Sequence, residues 1–124
     1  MKPVAYLAGP MTIKPNFNYD MFTEAARNLR AAGWKIWSPL EHDVKAGMDP
    51  NNSDSWGEVA DVHALFAWDM IKVIKSPNII LLPDWFLSKG VAVELSLAQY
   101  LKHLVFRYEV NACTAGFRLI DYVY

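Results

Sequence analysis

Cysteine is almost missing: Cys113 is the single one in 124 residues. An internal disulfide is therefore excluded, and a reducing, cytoplasmic setting is expected. An excess of charge of one sign is missing too. Twelve Lys and Arg stand against 13 Asp and Glu, a net charge of -1, so no electrostatic pull toward nucleic acid or an anionic membrane is expected. No run approaches the roughly 18 apolar residues of a membrane span. The N-terminus passes straight into Val4-Ala5-Tyr6-Leu7-Ala8, without the basic region, long apolar region and cleavage site of a signal peptide. That first apolar run is followed by Gly9-Pro10 and not by Gly-x-Gly-x-x-Gly, which argues against a dinucleotide-dependent dehydrogenase. A Walker loop and a Gly-x-Ser-x-Gly elbow are absent. His42, His63 and His103 lack metal-ligand spacing, so no metal or other cofactor is expected. Repeats and low-complexity segments are absent as well.

What is present is a hydrophobic fraction of 53% with 20% charged residues, the balance of a globular chain with one core, read as a single domain over residues 1–124. Val4 to Ala8 reads as a strand. Tyr19 to Ala32 reads as a helix, with Phe22, Ala25, Ala26 and Leu29 at helical spacing, Asn18 as N-cap and Gly33 as stop. Trp34 to Trp37 is a second strand. Residues 39–57 are rich in Asp, Asn, Ser, Pro and Gly and read as a long loop, a length that usually marks a binding loop or lid. Glu58 to Lys75 reads as a helix. Its apolar residues, Val59, Val62, Leu65, Phe66, Trp68, Ile71, Val73 and Ile74, cover so much of the circumference that a second subunit is expected on one side. Asn78 to Leu82 is a buried strand, a helix reaches about Leu101, and His103 to Tyr108 is a further strand. The tail from Glu109 reads as a last strand or an extended arm. Strands alternating with helices predict an α/β flavodoxin-like (Rossmann-like) three-layer sandwich with a 4–5 stranded parallel sheet. Five tryptophans read first as packing residues, with base stacking left open for Trp34, Trp37, Trp56 and Trp85.

Chemistry concentrates where ligands of such sheets bind, outside the carboxyl ends of the strands. Glu94 is embedded in Val91-Ala92-Val93-Glu94-Leu95-Ser96-Leu97-Ala98, where a charge is costly to bury. It reads either as a helix-surface glutamate or as a working carboxylate. A place near the helix start predicts a lowered pKa and an ionised side chain, suited to a nucleophile. Asp69, flanked by Trp68 and Met70, reads as a buried capping aspartate or as a proton donor whose pKa desolvation raises. Ser88 stands at the N-cap of the same helix as Glu94. Beyond capping, it and Lys89 with the free amides of a helix start make an anion site, and Gly90 allows close approach. Tyr6 and the loop Gly9-Pro10-Met11-Thr12 end the first strand, and Gly9 is expected to admit a ligand close to the backbone.

Taken together, Tyr6-Leu7-Ala8-Gly9-Pro10-Met11, Asp69, and Asp84-Trp85-x-x-Ser88-x-Gly90-x-x-x-Glu94-x-x-x-Ala98 resemble the nucleoside 2-deoxyribosyltransferase superfamily. The likeness is greatest to a small branch, the DUF4406 group, and to nucleotide N-hydrolases. The resemblance implies that Glu94 attacks C1′ of a (deoxy)ribose and expels the base. Asp69 would assist proton transfer to the base, and Tyr6 would orient the nucleophile. Six residues before the nucleophile, Ser88 stands where nucleoside-specific members carry an aspartate. Serine there implies a 5′-phosphate, since a phosphate needs donors and no nearby carboxylate. Gly9, Pro10, Met11, Gly90 and Asp84 complete the expected substrate contacts, with Asp84 the one acid close to the phosphate. The resemblance further implies a homodimer or higher homo-oligomer whose site borrows residues from a neighbouring subunit, with Asn111, Thr114 and Tyr124 of the tail as candidates. The reading is an enzyme cleaving the N-glycosidic bond of a (2′-deoxy)nucleoside 5′-monophosphate, resolved by water or by another base. The alternatives are a module sensing a nucleotide or NAD derivative without turnover, and a structural protein with a tryptophan-rich partner surface.

Overall fold

A computed structural model describes residues 2–52, 54, 55, 62–114 and 116–122. Five strands form one sheet in the order β2-β1-β3-β4-β5: β1 (Val4–Ala8), β2 (Lys35–Trp37), β3 (Asn78–Leu81), β4 (Leu104–Val110) and β5 (Phe117–Asp121). The first four run parallel. The tail supplies an edge strand, β5, antiparallel to β4, so the expected 4–5 stranded sheet is present with one strand reversed. A hairpin explains the reversal. Asn111 Oδ1 accepts from the Cys113 and Thr114 amides and Thr114 Oγ1 from the Gly116 amide, a turn too short for the crossover that parallel pairing needs.

Among the described residues, four helices cover the sheet: α1 (Tyr19–Ala31), α2 (Pro39–Lys45), α3 (Val62–Lys75 in its described part) and α4 (Lys89–Tyr100). Alternation along each strand sorts the two faces. Ala5, Leu7, Ile80 and Leu82 pack with Phe22, Ala25, Ala26 and Leu29 of α1. Tyr6, Ala8, Ile79 and Leu81 pack with Val73 of α3 and Val91, Leu95 and Ala98 of α4. Each such buried side chain stabilises by roughly 1.5–3 kcal/mol before the entropy of ordering is subtracted. The sandwich therefore turns Tyr6 toward the face where Asp69 and Glu94 are carried. Among the described residues no helix is long and apolar enough to cross a membrane.

The segment read as one long loop from Pro39 begins instead with α2. Ser38 Oγ accepts from the Glu41 amide at 3.4 Å and Pro39 occupies the first helical position, a serine cap with proline in the first turn and glutamate three residues after the serine. Arg30 then clamps Glu41 with two bonds of 2.7 and 2.6 Å. Asn18 does precede α1, but in a left-handed conformation (φ 61°) with no side-chain cap bond. A 3-10 turn over Pro15–Asn18, which buries Phe17, sets that entry. The start expected for α3, including Trp56, Glu58 and Val59, lies outside the described residues. Within the chain, Val62, Phe66, Ile71 and Ile74 of α3 remain exposed.

Candidate active site

Three strand ends open into one cavity of about 230 Å³. From β1 come Tyr6 and, just beyond it, Gly9, Met11 and Thr12. Pro39 and Asp43 follow β2, and Ser88, Gly90 and Glu94 follow β3. Helix α3 closes the side with Val62, Leu65, Phe66 and Asp69.

Glu94 is the sixth residue of α4 and only 7% exposed. The Tyr6 hydroxyl, itself fully buried, donates to Glu94 Oε2. Burial pushes the Glu94 carboxyl up to about 8, against the hydrogen bond from Tyr6, which pulls down; Asp69 and Asp43 push it further up. The expectation of a carboxylate held ionised by the helix start is therefore overturned. The dipole acts within the first turn, and by the second turn desolvation is the larger effect. The Tyr6 phenol is driven up as well, by burial first and by Glu94 second, so it remains a hydrogen-bond donor.

Asp69 is pushed up to about 8, by burial and then by the Asp43 carboxyl. Its Oδ1 is buried without a hydrogen-bond partner among the described residues. A structural cap would use that oxygen, so the orphan atom favours a ligand contact. Ser88 caps α4 by accepting from the Val91 amide at 3.2 Å. Its hydroxyl proton remains available to a ligand, beside the open amides of the first turn.

The cavity gathers Tyr6, Gly9, Met11, Asp69, Ser88, Gly90 and Glu94, but not Pro10 or Asp84. Pro10 is buried elsewhere. Asp84 takes a left-handed backbone (φ 65°) before the 3-10 turn Trp85–Leu87 and pairs with Lys14. Its expected place as a substrate contact is therefore not seen: the carboxylate pairs with Lys14 and is not part of the cavity lining. Gly9 has a packing reason to be glycine. A Cβ there would meet Leu82 at 3.0 Å and Phe22 at 3.3 Å. At Gly90 a Cβ would make only an ordinary 3.7 Å contact with Ser88 Oγ. Trp34 packs edge-on against Phe106, Trp37 against Trp68 and Trp85 against Tyr122, and none of them lines the cavity. Asn111 and Thr114 form the β4–β5 turn within this chain, and Tyr124 lies outside the described residues.

Sequence reasoning missed Asp43, which is 4% exposed. Its neighbour His42 stacks on Trp68 with ring centroids 4.0 Å apart, and burial lowers the His42 pKa. The serine-proline-glutamate start of α2 was the available signal, because a helix there returns position 43 to the strand ends. No group of side chains that could hold a metal ion is found among the described residues.

The family described as Domain of unknown function (DUF4406) matches residues 3–107, which contain every element of the cavity. The chain belongs to that family. No curated protein matches it.

Proposed function

We propose that this DUF4406 member cleaves the N-glycosidic bond of a (2′-deoxy)nucleoside 5′-monophosphate. The observation that carries the reading is the meeting, on one cavity, of a tyrosine-held glutamate, a second carboxyl with an unbonded buried oxygen, and a capped helix start. The resemblance to the nucleoside 2-deoxyribosyltransferase superfamily supports it. Tyr6 holds Oε2 of Glu94, leaving Oε1 to attack C1′. As the C1′–O bond forms, the C1′–N bond breaks and its electron pair passes to the base, which the Asp69 carboxyl protonates. Water, or the nitrogen of a second base, then attacks C1′ of the glycosyl ester. The ionised Asp69 takes the proton, and Glu94 leaves as carboxylate. Ser88 and the amides beside Gly90 hold the 5′-phosphate.

The test is incubation with a panel of ribo- and deoxynucleoside monophosphates, with free base measured by chromatography. Base release supports the reading. Tight binding without release supports the sensing module, and neither supports a structural protein. Ser88→Ala is expected to raise KM for nucleotides roughly tenfold or more, with a much smaller change for nucleosides. It also removes the cap of α4, at about 1 kcal/mol of stability. Equal KM changes for both substrate types would remove the phosphate role.

The exposed apolar residues of α3, of which Val62 and Phe66 also line the cavity, support a homo-oligomer in which α3 meets a second copy. Sedimentation is expected to give a multiple of 14.1 kDa, and Phe66→Glu is expected to return it to one copy.

A further inference from the structure

The aromatic cluster behind the cavity takes no part in the chemistry just described. Resting on that reading, we infer that Trp68 and His42 are positioning residues: clamped with Trp37, they hold the α3 wall of the cavity so that Asp69 meets the leaving base from a water-excluded place.

Trp68 is held on two sides. Its ring lies on His42 of α2, with centroids 4.0 Å apart and planes 11° from parallel. Trp37 of β2 meets it edge-on at 6.3 Å and 82°. Lys72, four residues on along α3, places its Nζ 3.8 Å from the Trp37 centroid and 5.7 Å from that of Trp68, within cation–π range of both. Three elements, β2, α2 and α3, therefore meet at one indole, outside the cavity lining. Of these, α2 is itself anchored: Leu40 is buried in the core on the α1 side, and Arg30 clamps Glu41.

Asp69 directly follows Trp68, and successive side chains on a helix stand about 100° apart. One rotation of α3 thus sets both the ring against α2 and the carboxyl in the cavity. A turn that withdrew Trp68 from His42 would carry Asp69 with it. The clamp also closes the wall, because Pro39 of α2 and Leu65 of α3 both line the cavity. Burial is the larger cause of the rise of Asp69 to about 8, ahead of the Asp43 carboxyl. Across the cavity Asp69 is coupled to Glu94 of α4 and Tyr6 of β1, while His42 and Lys72 meet Trp68. Parting α2 from α3 admits water, lowers the Asp69 pKa and removes the proton donor near pH 8.

The test uses Trp68→Leu and His42→Ala, which break the stack, and His42→Phe, which keeps a flat ring without its nitrogens. The Asp69 carboxyl is titrated by carbon-13 NMR in substrate-free protein carrying Glu94→Gln, so that Glu94 does not titrate with it. In His42→Ala and Trp68→Leu its pKa is expected to fall by about one pH unit or more. With Glu94 in place, kcat at pH 8 should fall about fivefold or more and its alkaline limb should move to lower pH, with KM changing less than about twofold. His42→Phe should restore both. An Asp69 pKa unchanged in His42→Ala, a loss confined to KM, or His42→Phe behaving as His42→Ala would each overturn the positioning role. If Trp68→Leu does not fold, the partly exposed His42 and its two variants decide. Absence of base release from the native protein, with the Asp69 pKa falling in His42→Ala, would sink the glycosidic reading and leave the clamp standing.

Discussion

Glu94→Ala is expected to abolish base release, lowering kcat/KM by roughly 10⁴-fold or more while the chain stays folded. Loss on that scale follows from covalent chemistry, because without the carboxylate there is no glycosyl-enzyme and no route for the first displacement. The fold should survive because the side chain removed is a desolvated carboxyl, 7% exposed with its pKa pushed up to about 8. The lost packing and the Tyr6 hydroxyl left without its acceptor cost stability, and removal of a desolvated acid offsets part of that cost. Glu94→Gln keeps the volume and should be equally inactive. A far-UV spectrum and thermal melt close to the native protein's, together with loss of activity, is the expected pair of results. Substantial activity in either variant would remove Glu94 as nucleophile.

Stability and activity should both turn with pH, in a way set by two carboxyls. Glu94 and Asp69 each rise to about 8, from ordinary values of 4.5 and 3.8. Between about pH 4.5 and 8 the folded chain holds protons that the unfolded chain has released. The unfolding free energy therefore falls as pH rises through that window and levels off above it. The loss is on the order of a few kcal/mol, a decrease in Tm of about 10 °C between pH 5 and pH 8.5. Glu94→Gln combined with Asp69→Asn should flatten the curve. A Tm that rises over the same range would contradict the buried, protonated state. Activity needs Glu94 ionised and Asp69 protonated, so kcat/KM should follow a bell with its maximum near pH 8, the two limbs belonging to the pair jointly. Asp69→Asn should lower the rate by about 10²–10⁴-fold and remove the alkaline limb.

The Asp43 position shows why part of the site was illegible in the sequence. Glu94 and Asp69 announce themselves, each a carboxyl among apolar neighbours, and Ser88 carries the mark of a helix cap. Asp43 sits in a segment of many polar residues, where one more acid has no contrast. Only the turn of chain into α2, and the stack of His42 on Trp68, bring it back to the strand ends. Asp84 failed for the opposite reason. It is four residues before Ser88, but a left-handed backbone carries it to Lys14, and such a reversal leaves little trace in a residue that is not glycine.

The sequence by itself determined the parallel α/β sheet, because buried strands and amphipathic helices write their periods directly into the order of apolar residues. It also determined the placing of Ser88 and Glu94 on one helix start, since their spacing is local. The tertiary structure alone decided the protonation of Glu94, the direction of Asp84, the antiparallel β5 and the arrival of Asp43 in the cavity. Each of these depends on what residues distant in the chain do to solvent, charge and space around a group. Glu94 is the sharpest case: the hydrogen bond from Tyr6 favours the ionised form, and burial in the core, with Asp69 and Asp43, decides for the protonated one.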